Sequence, residues 1–180
     1  MFDIEKFMSL ERYDTEVRKA RRKSHTIGPK AHEQNVSGKK GTAEYFTPYE
    51  IVKRMADKVP EEDWTDPTKT FLEPCFGNGQ FLIYMIYNRL QHGVSLEDTF
   101  NTLYGVELME DNVEECKQRI FNMLDAMEMT YDKDALRDVL DAHLVCSDFF
   151  EWNFQEWRKM TLEELKTTSK SPKKKNKKNV

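Results

Sequence analysis

Three acidic residues stand at the ends of short apolar runs. Glu73 closes Thr70-Phe71-Leu72 and precedes PCFGNG, Glu107 closes the run from Thr102 and precedes LMEDN, and Asp148 follows HLVCS and precedes FFEW. If the runs are neighbouring parallel strands, their carboxylates converge on one crevice. Gly77 and Gly79 follow the first acid, and they let backbone pass close to a ligand. The helix expected next presents unpaired N–H groups that suit an anion. At any one strand, a tight turn and a capping acid explain these residues as well. The recurrence at three strands in register favours a ligand. The spacing excludes two phosphate grips: a GxGxxG fingerprint fails because its third glycine position is Leu82, and a Walker loop fails for want of GKS or GKT. Several acids around one crevice suit a cation that also carries hydroxyls. Cys75 lies in the glycine loop but has no evident base to activate it. His25, His32, His92 and His143 pair with no cysteine at ligand spacing, so no metal is assigned.

The elements that must position these groups follow from periodicity. Residues 3–23 read as a helix with a basic end, from Ile4, Phe7, Met8, Val17 and Ala20. Residues 24–43 hold three Gly and one Pro and read as a long loop. Thr47-Pro48 reads as a helix start, Thr as cap and Pro first in the helix, with Ile51, Val52 and Met55 as its apolar stripe. Residues 60–69 read as a turn-rich connection. Next come a strand at 70–73, a tight loop at 74–79 and a helix at 80–92 that is apolar almost all round, which demands cover on more than one side. A second strand spans 102–108. The helix at 110–129 carries the stripe Val113, Cys116, Ile120, Met123, Leu124, Met127. A helical turn is expected at 135–140, a third strand at 143–147, and a last helix at 155–166 with Trp157, Leu162 and Leu165 as its apolar side. Alternating strands and helices imply an α/β fold with a parallel sheet and crossover helices.

The chain has 180 residues, and its net charge of −4 conceals a segregation. Residues 1–41 carry +4 and residues 166–180 carry +7, so the 11 basic and 26 acidic residues of 42–165 give that part −15. Basic arms on an acidic core point to a polyanion, with Arg18, Arg21, Arg22, Lys23, Lys39 and Lys40 as candidate nucleic-acid contacts and DNA as the expected partner. The lysine tail also reads as a plain solubilising segment. Three cysteines without a CxxC pair argue for a reducing, cytoplasmic setting. No apolar run is long enough to span a membrane, and the acidic start is unlike a secretory signal. The expected division is a basic helical arm and loop at 1–43, a ligand-binding domain at 44–166 and a disordered lysine-rich tail at 167–180.

Four segments, taken in order, resemble the S-adenosylmethionine-dependent DNA adenine methyltransferases. FLEPCFGNGQF at 71–81 is similar to their cofactor loop, YGVEL at 104–108 to their second motif and CSDFFEW at 146–152 to their third. EYFTP at 44–48 resembles the motif that, in type I modification subunits and fused restriction-methylases, precedes the others and closes over the methionine end of the cofactor. The resemblance covers about three-fifths of the chain. It implies a Rossmann-like methyltransferase fold, here partial, with S-adenosyl-L-methionine as cofactor. Tyr45, Phe46 and Thr47 would line the methionine, and Glu73, Pro74, Gly77 and Gly79 would hold the amino-acid end. Glu107 would accept from the ribose hydroxyls, Leu108 would pack on adenine, Asp148 would take the adenine amino group and Phe149 would stack on the ring. For Phe46, Phe81 and Phe149, plain core packing is the alternative.

The sequence departs from that family in two respects. The family's catalytic Asn/Asp-Pro-Pro-Tyr/Phe stacks and hydrogen-bonds a flipped base, and this sequence contains no Pro-Pro. After Asp148 the nearest substitute is Trp152-Asn153-Phe154, so no catalytic residue is assigned. A fourth strand, which in the family pairs with the first, is also missing from the reading. The free edge at 70–73 is then expected to be covered by the amino-terminal arm, the last helix, a second copy or a separate chain. Three functions follow as expectations. The first is the cofactor-binding part of a DNA adenine methyltransferase, split or shortened and needing a partner for catalysis. The second is a non-catalytic S-adenosylmethionine or DNA binder that modulates a modification system. The third is a nucleic-acid binder built on a degenerate methyltransferase fold.

Overall fold

The computed structural model describes residues 2–23 and 46–168; within the first helix, the side chains of 13 and 16–23 are not described. The expected loop at 24–43 and the tail from 169 onward lie outside the described residues. Helix α1 (Ile4–Lys23) is followed by α2 (Tyr49–Ala56), α3 (Glu61–Thr65), strand β1 (Phe71–Glu73), α4 (Gln80–Gln91) and α5 (Leu96–Asn101). Then come β2 (Leu103–Glu107), α6 (Glu110–Ala126), α7 (Lys133–His143), β3 (Leu144–Cys146), a 3-10 turn (Phe149–Glu151), the hairpin β4 (Trp152–Asn153) and β5 (Arg158–Lys159), and α8 (Leu162–Thr168).

The main sheet has the order β1-β2-β3 and is parallel throughout. Glu73 lies opposite Gly105, two residues before the end of β2, and Glu107 lies opposite Cys146, two residues before Asp148. The three acids are therefore stepped by two residues from strand to strand, and are not in register as expected. The fold is therefore mixed α/β with helical crossovers, compatible with part of a Rossmann-like sheet. The central strand is buried on both faces, as Leu103, Val106 and Glu107 show. Helix α4 meets its need for cover: α1, α2, α3, α5 and α6 all pack against it. Its Leu82, Ile83 and Ile86 are fully buried, each burial stabilising by about 1.5–3 kcal/mol. The α6 stripe from Val113 to Leu124 is buried as its spacing requires, and the helix stops where Glu128 takes a left-handed φ of 56°.

Three expectations are corrected, and one helix is additional. Pro48 occupies the cap position of α2 rather than its first turn, with no side-chain capping bond from Thr47; its carbonyl accepts from Ile51 and Val52. The connection at 60–69 contains α3, which buries Trp64 flat on Phe71 at 5.1 Å. Helix α5 was not anticipated; the Ser95 hydroxyl caps it by accepting from the Asp98 N–H. The helix expected at 155–166 is instead a hairpin followed by α8. The Asn153 side chain folds the turn by accepting from the 155 and 156 N–H groups, and Trp157 has a left-handed φ of 48°.

The outer edge of β1 has no strand partner among the described residues, and Leu72 there is 43% exposed. Neither α1 nor α8 supplies a strand to that edge. No described helix is long and apolar enough to cross a membrane.

Candidate functional site

The strand-end acids lie where β1, β2 and β3 stop. Pro74 to Gly79 turns the chain from β1 into α4, and it does so with two left-handed residues, Gly77 at φ 55° and Gly79 at φ 88°. At Gly79 the glycine is also a steric requirement, because a Cβ there would come within 2.3 Å of Cys116 Sγ. The loop is seated from below by Phe76, buried against β2 where Gly105 leaves room: a Cβ on Gly105 would meet the Phe76 ring at 2.6 Å. Sequence reasoning missed Gly105, although a glycine inside an apolar strand is the usual sign of close backbone or ring approach.

The three strand-end acids gather around this loop. Burial raises the Cys75 thiol above its ordinary pKa, and the charges of Glu107, Glu73 and Asp148 raise it further. The same field keeps the thiol protonated, which argues against Cys75 as a nucleophile. Burial also raises the Glu73 carboxyl, partly offset by the Cys75 N–H bonded to it. A desolvated acid with no neutralising cation beside it among the described residues favours a positively charged occupant.

Glu107 is 8% exposed and its carboxylate is already engaged. One oxygen accepts from the Gly77 N–H at 2.9 Å; the other accepts from the Met109 N–H at 3.0 Å, with Asn112 Nδ2 at 3.5 Å. The oxygen bonded to Gly77 keeps one lone pair while the other has two donors, so a ligand hydroxyl would add at the first and a second would have to displace the long Asn112 contact. Leu108, 46% exposed, offers an apolar face beside it. The Asp148 carboxylate caps the 3-10 turn, accepting from the Phe150 N–H at 2.8 Å. Phe149 is half-buried, with Phe150 edge-on at 5.5 Å and Phe154 tilted at 4.7 Å. On the amino-terminal side, Phe46 is buried near the place where a Gly77 side chain would begin, and Thr47 and Pro48 are partly exposed. Phe81, for which core packing was the alternative, is half-buried against the apolar cluster. Pro74 is exposed on the loop. Tyr45, Lys39 and Lys40 lie outside the described residues. Arg18, Arg21, Arg22 and Lys23 fall on the last turns of α1.

A second set of residues was not legible. Arg119 is fully buried on α6 and holds the loop from behind, donating to the Asn78 carbonyl at 2.6 Å and to Gln80 Oε1 at 3.1 Å. The Thr15 hydroxyl, on α1, has its single proton shared between the Glu115 carboxylate and the Glu11 carbonyl one turn back at 2.9 Å, and it accepts from Asn78 Nδ2 at 3.2 Å. The available signal was Glu115 and Arg119 at i, i+4 beside the apolar stripe of α6, where a solvent-facing pair is not expected. Two cavities lie elsewhere. One of about 330 Å³ sits between α1 and α6, and one of about 570 Å³ among α2, α3 and α4; neither includes Glu73, Glu107 or Asp148.

The Asn153 side chain, the nearest stand-in for a catalytic amide, spends its oxygen on the 155 and 156 N–H groups. It is not poised to accept from a substrate amine.

Comparison with protein-family models, curated proteins and solved structures gives no match.

Proposed function

We propose that this chain is the S-adenosylmethionine-binding part of a DNA adenine methyltransferase, in a form that needs a partner for catalysis. The carrying observation is the placement of Glu73, Glu107 and Asp148 at or just past the carboxyl ends of three neighbouring parallel strands, beside a loop bent by two left-handed glycines. The chemistry of this donor set fits the cofactor. A sulfonium and an ammonium suit the acids, one ribose hydroxyl suits the free lone pair of Glu107 and the other would replace its long Asn112 contact, and a purine suits Leu108 and Phe149. When bound, the cofactor supplies an activated methyl group for transfer to the exocyclic amine of adenine. This chain's residues would bind and orient it, and alignment is the main source of acceleration in such a direct displacement.

Two observations favour dependence on a partner. The sequence offers no Pro-Pro tetrapeptide, and the Asn153 side chain is committed to its own turn. The open edge of β1 carries Glu73 to the crevice, so a strand added there would arrive beside the site. The partner would be a second chain or a second copy. The same two observations also suit a non-catalytic binder that modulates a modification system.

Titration calorimetry tests the reading. The chain alone should bind S-adenosylmethionine, and Glu107→Gln, which keeps the shape and removes the charge, should weaken binding by about 1–3 kcal/mol. Methyl transfer to DNA should be absent without a partner. Absence of binding would overturn the proposal, and transfer by the chain alone would overturn the need for a partner.

A further inference from the structure

Helix α1 changes the character of its docking along its length. Its first half docks by apolar packing: Ile4 and Met8 belong to the core, and the Phe2 ring lies 5.4 Å from Phe7 and 5.9 Å from Tyr87. From Glu11 onward the seam is polar. The Glu11 carboxylate lies 3.6 Å from Arg119 Nε, Arg12 Nε donates to the Phe46 carbonyl at 2.8 Å, and Thr15 bridges the Glu115 carboxylate and the Asn78 amide. Each of these contacts ends in one of three places: on the glycine loop, on the Phe46 segment beside it, or on the two α6 residues that brace it.

We infer that the polar half of α1 positions the glycine loop, with Thr15 and Arg119 as positioning residues, so that docking of this half-helix and occupancy of the cradle stabilise one another. Three observations carry this. The bonds from α1 and Arg119 reach both the side chain and the carbonyl of Asn78, the residue between the two left-handed glycines. The seam is built from groups that water can satisfy, so it opens at lower cost than the apolar half. The cavity of about 330 Å³ lined by Glu11, Glu115 and Arg119 runs along it, so the seam is not sealed by packing. A site whose ordering depends on a separable element binds its ligand more weakly when that element is loosened, and ligand in turn tightens the element.

The inference rests on the ligand reading above only for the identity of the occupant. Hydrogen exchange on the full chain tests it without that identity. Thr15→Val keeps the shape and removes the hydroxyl. It should speed exchange at the Gly77 and Gly79 amides by roughly three- to tenfold, the range for one hydrogen bond, while amides 120–124 in the α6 core stay unchanged. Thr15→Ser should restore the parent rates. Unchanged loop rates in Thr15→Val overturn the inference, whatever binds. If loop and core rates rise together, the variant is only destabilised; Thr15→Ser must then restore the loop, and failure to do so overturns it too. S-adenosylhomocysteine should slow exchange at amides 11–15 of α1 in the parent chain, and its affinity should fall in Thr15→Val by the factor by which the loop opens. Faster loop exchange in Thr15→Val without any ligand binding refutes the cofactor and leaves the positioning role standing. Ligand protection confined to 76–82, with α1 unmoved, refutes the coupling.

Discussion

Gly79→Ala isolates the geometry on which the cradle depends. Two costs add at this position. The backbone has φ 88°, a conformation that an L side chain enters at about 1–2 kcal/mol. The new methyl would also lie 2.3 Å from Cys116 Sγ and 3.2 Å from its Cβ. Cys116 is fully buried on α6 and cannot swing into solvent, so backbone must shift, and overpacking of this kind costs about 1–3 kcal/mol. The expected loss is therefore about 2–5 kcal/mol, read from the midpoint of urea unfolding monitored by tryptophan fluorescence. The two parts separate in the Cys116→Ala background. Removing the sulfur deletes the worst contact and leaves the backbone strain, so the double variant should recover about 1–3 kcal/mol relative to additivity. A loss below about 0.5 kcal/mol for Gly79→Ala, the range of neutral surface changes, would show that the loop does not pack on α6 as described. A full loss without relief in the Cys116→Ala background would assign the whole effect to φ.

The other expectations concern charge. Glu73 is held above the ordinary carboxylate range by burial, so the folded state binds its proton more tightly than the unfolded chain does. Its contribution to stability is present below the unfolded pKa and is lost as pH rises through the folded value. The unfolding midpoint of Glu73→Gln should accordingly rise relative to the parent as pH increases from the ordinary glutamate range to neutrality; parallel pH profiles would contradict the buried acid. A cationic occupant relieves the same acid, so binding of S-adenosylmethionine should release protons near that pH, measurable as a buffer-dependent calorimetric heat. On the basic arm, Arg21→Ala with Arg22→Ala should weaken duplex DNA binding and flatten the dependence of log K on log salt by about 2 if both contact phosphate. An unchanged slope would remove these residues from the interface.

The parts of this fold legible in the sequence are those where one local pattern suffices. Strand β2 and helix α6 declare themselves by apolar runs and periodicity. The acids at 73, 107 and 148 are visible because each ends an apolar run, and their strands do lie side by side. The errors fall where a local pattern was ambiguous. Trp157, Leu162 and Leu165 have helical spacing, yet Trp157 belongs to the turn of a hairpin and packs its ring on Tyr104 and Trp152. Its indole N–H donates to the Ala142 carbonyl at 2.8 Å, a contact no window around residue 157 contains. Helix α5 did leave a trace in Ser95 and Asp98, at the spacing of a capping box. The polar seam left almost none, because Thr15 meets Asn78 and Glu115 across 63 and 100 residues of chain, and Arg119 meets Asn78 across 41.

The open edge of β1 and the crevice bear on one another. Edge strands invite pairing, and a strand of three residues with a polar end limits that hazard. Phe71 is covered by Trp64 on one ring face and by Arg89, 5.0 Å from its centroid, so the strand does not need a neighbour to bury its one aromatic. Leu72 remains exposed, and Glu73 follows at the crevice. Pairing along this edge would bury Leu72 and place the incoming backbone next to a carboxylate that is already desolvated. Such a partner is tolerated most easily when Glu73 is neutralised by a cation. Occupancy of the crevice and pairing at β1 should therefore favour one another, and a partner that supplies the missing catalytic groups would bind more tightly to the loaded chain than to the free one.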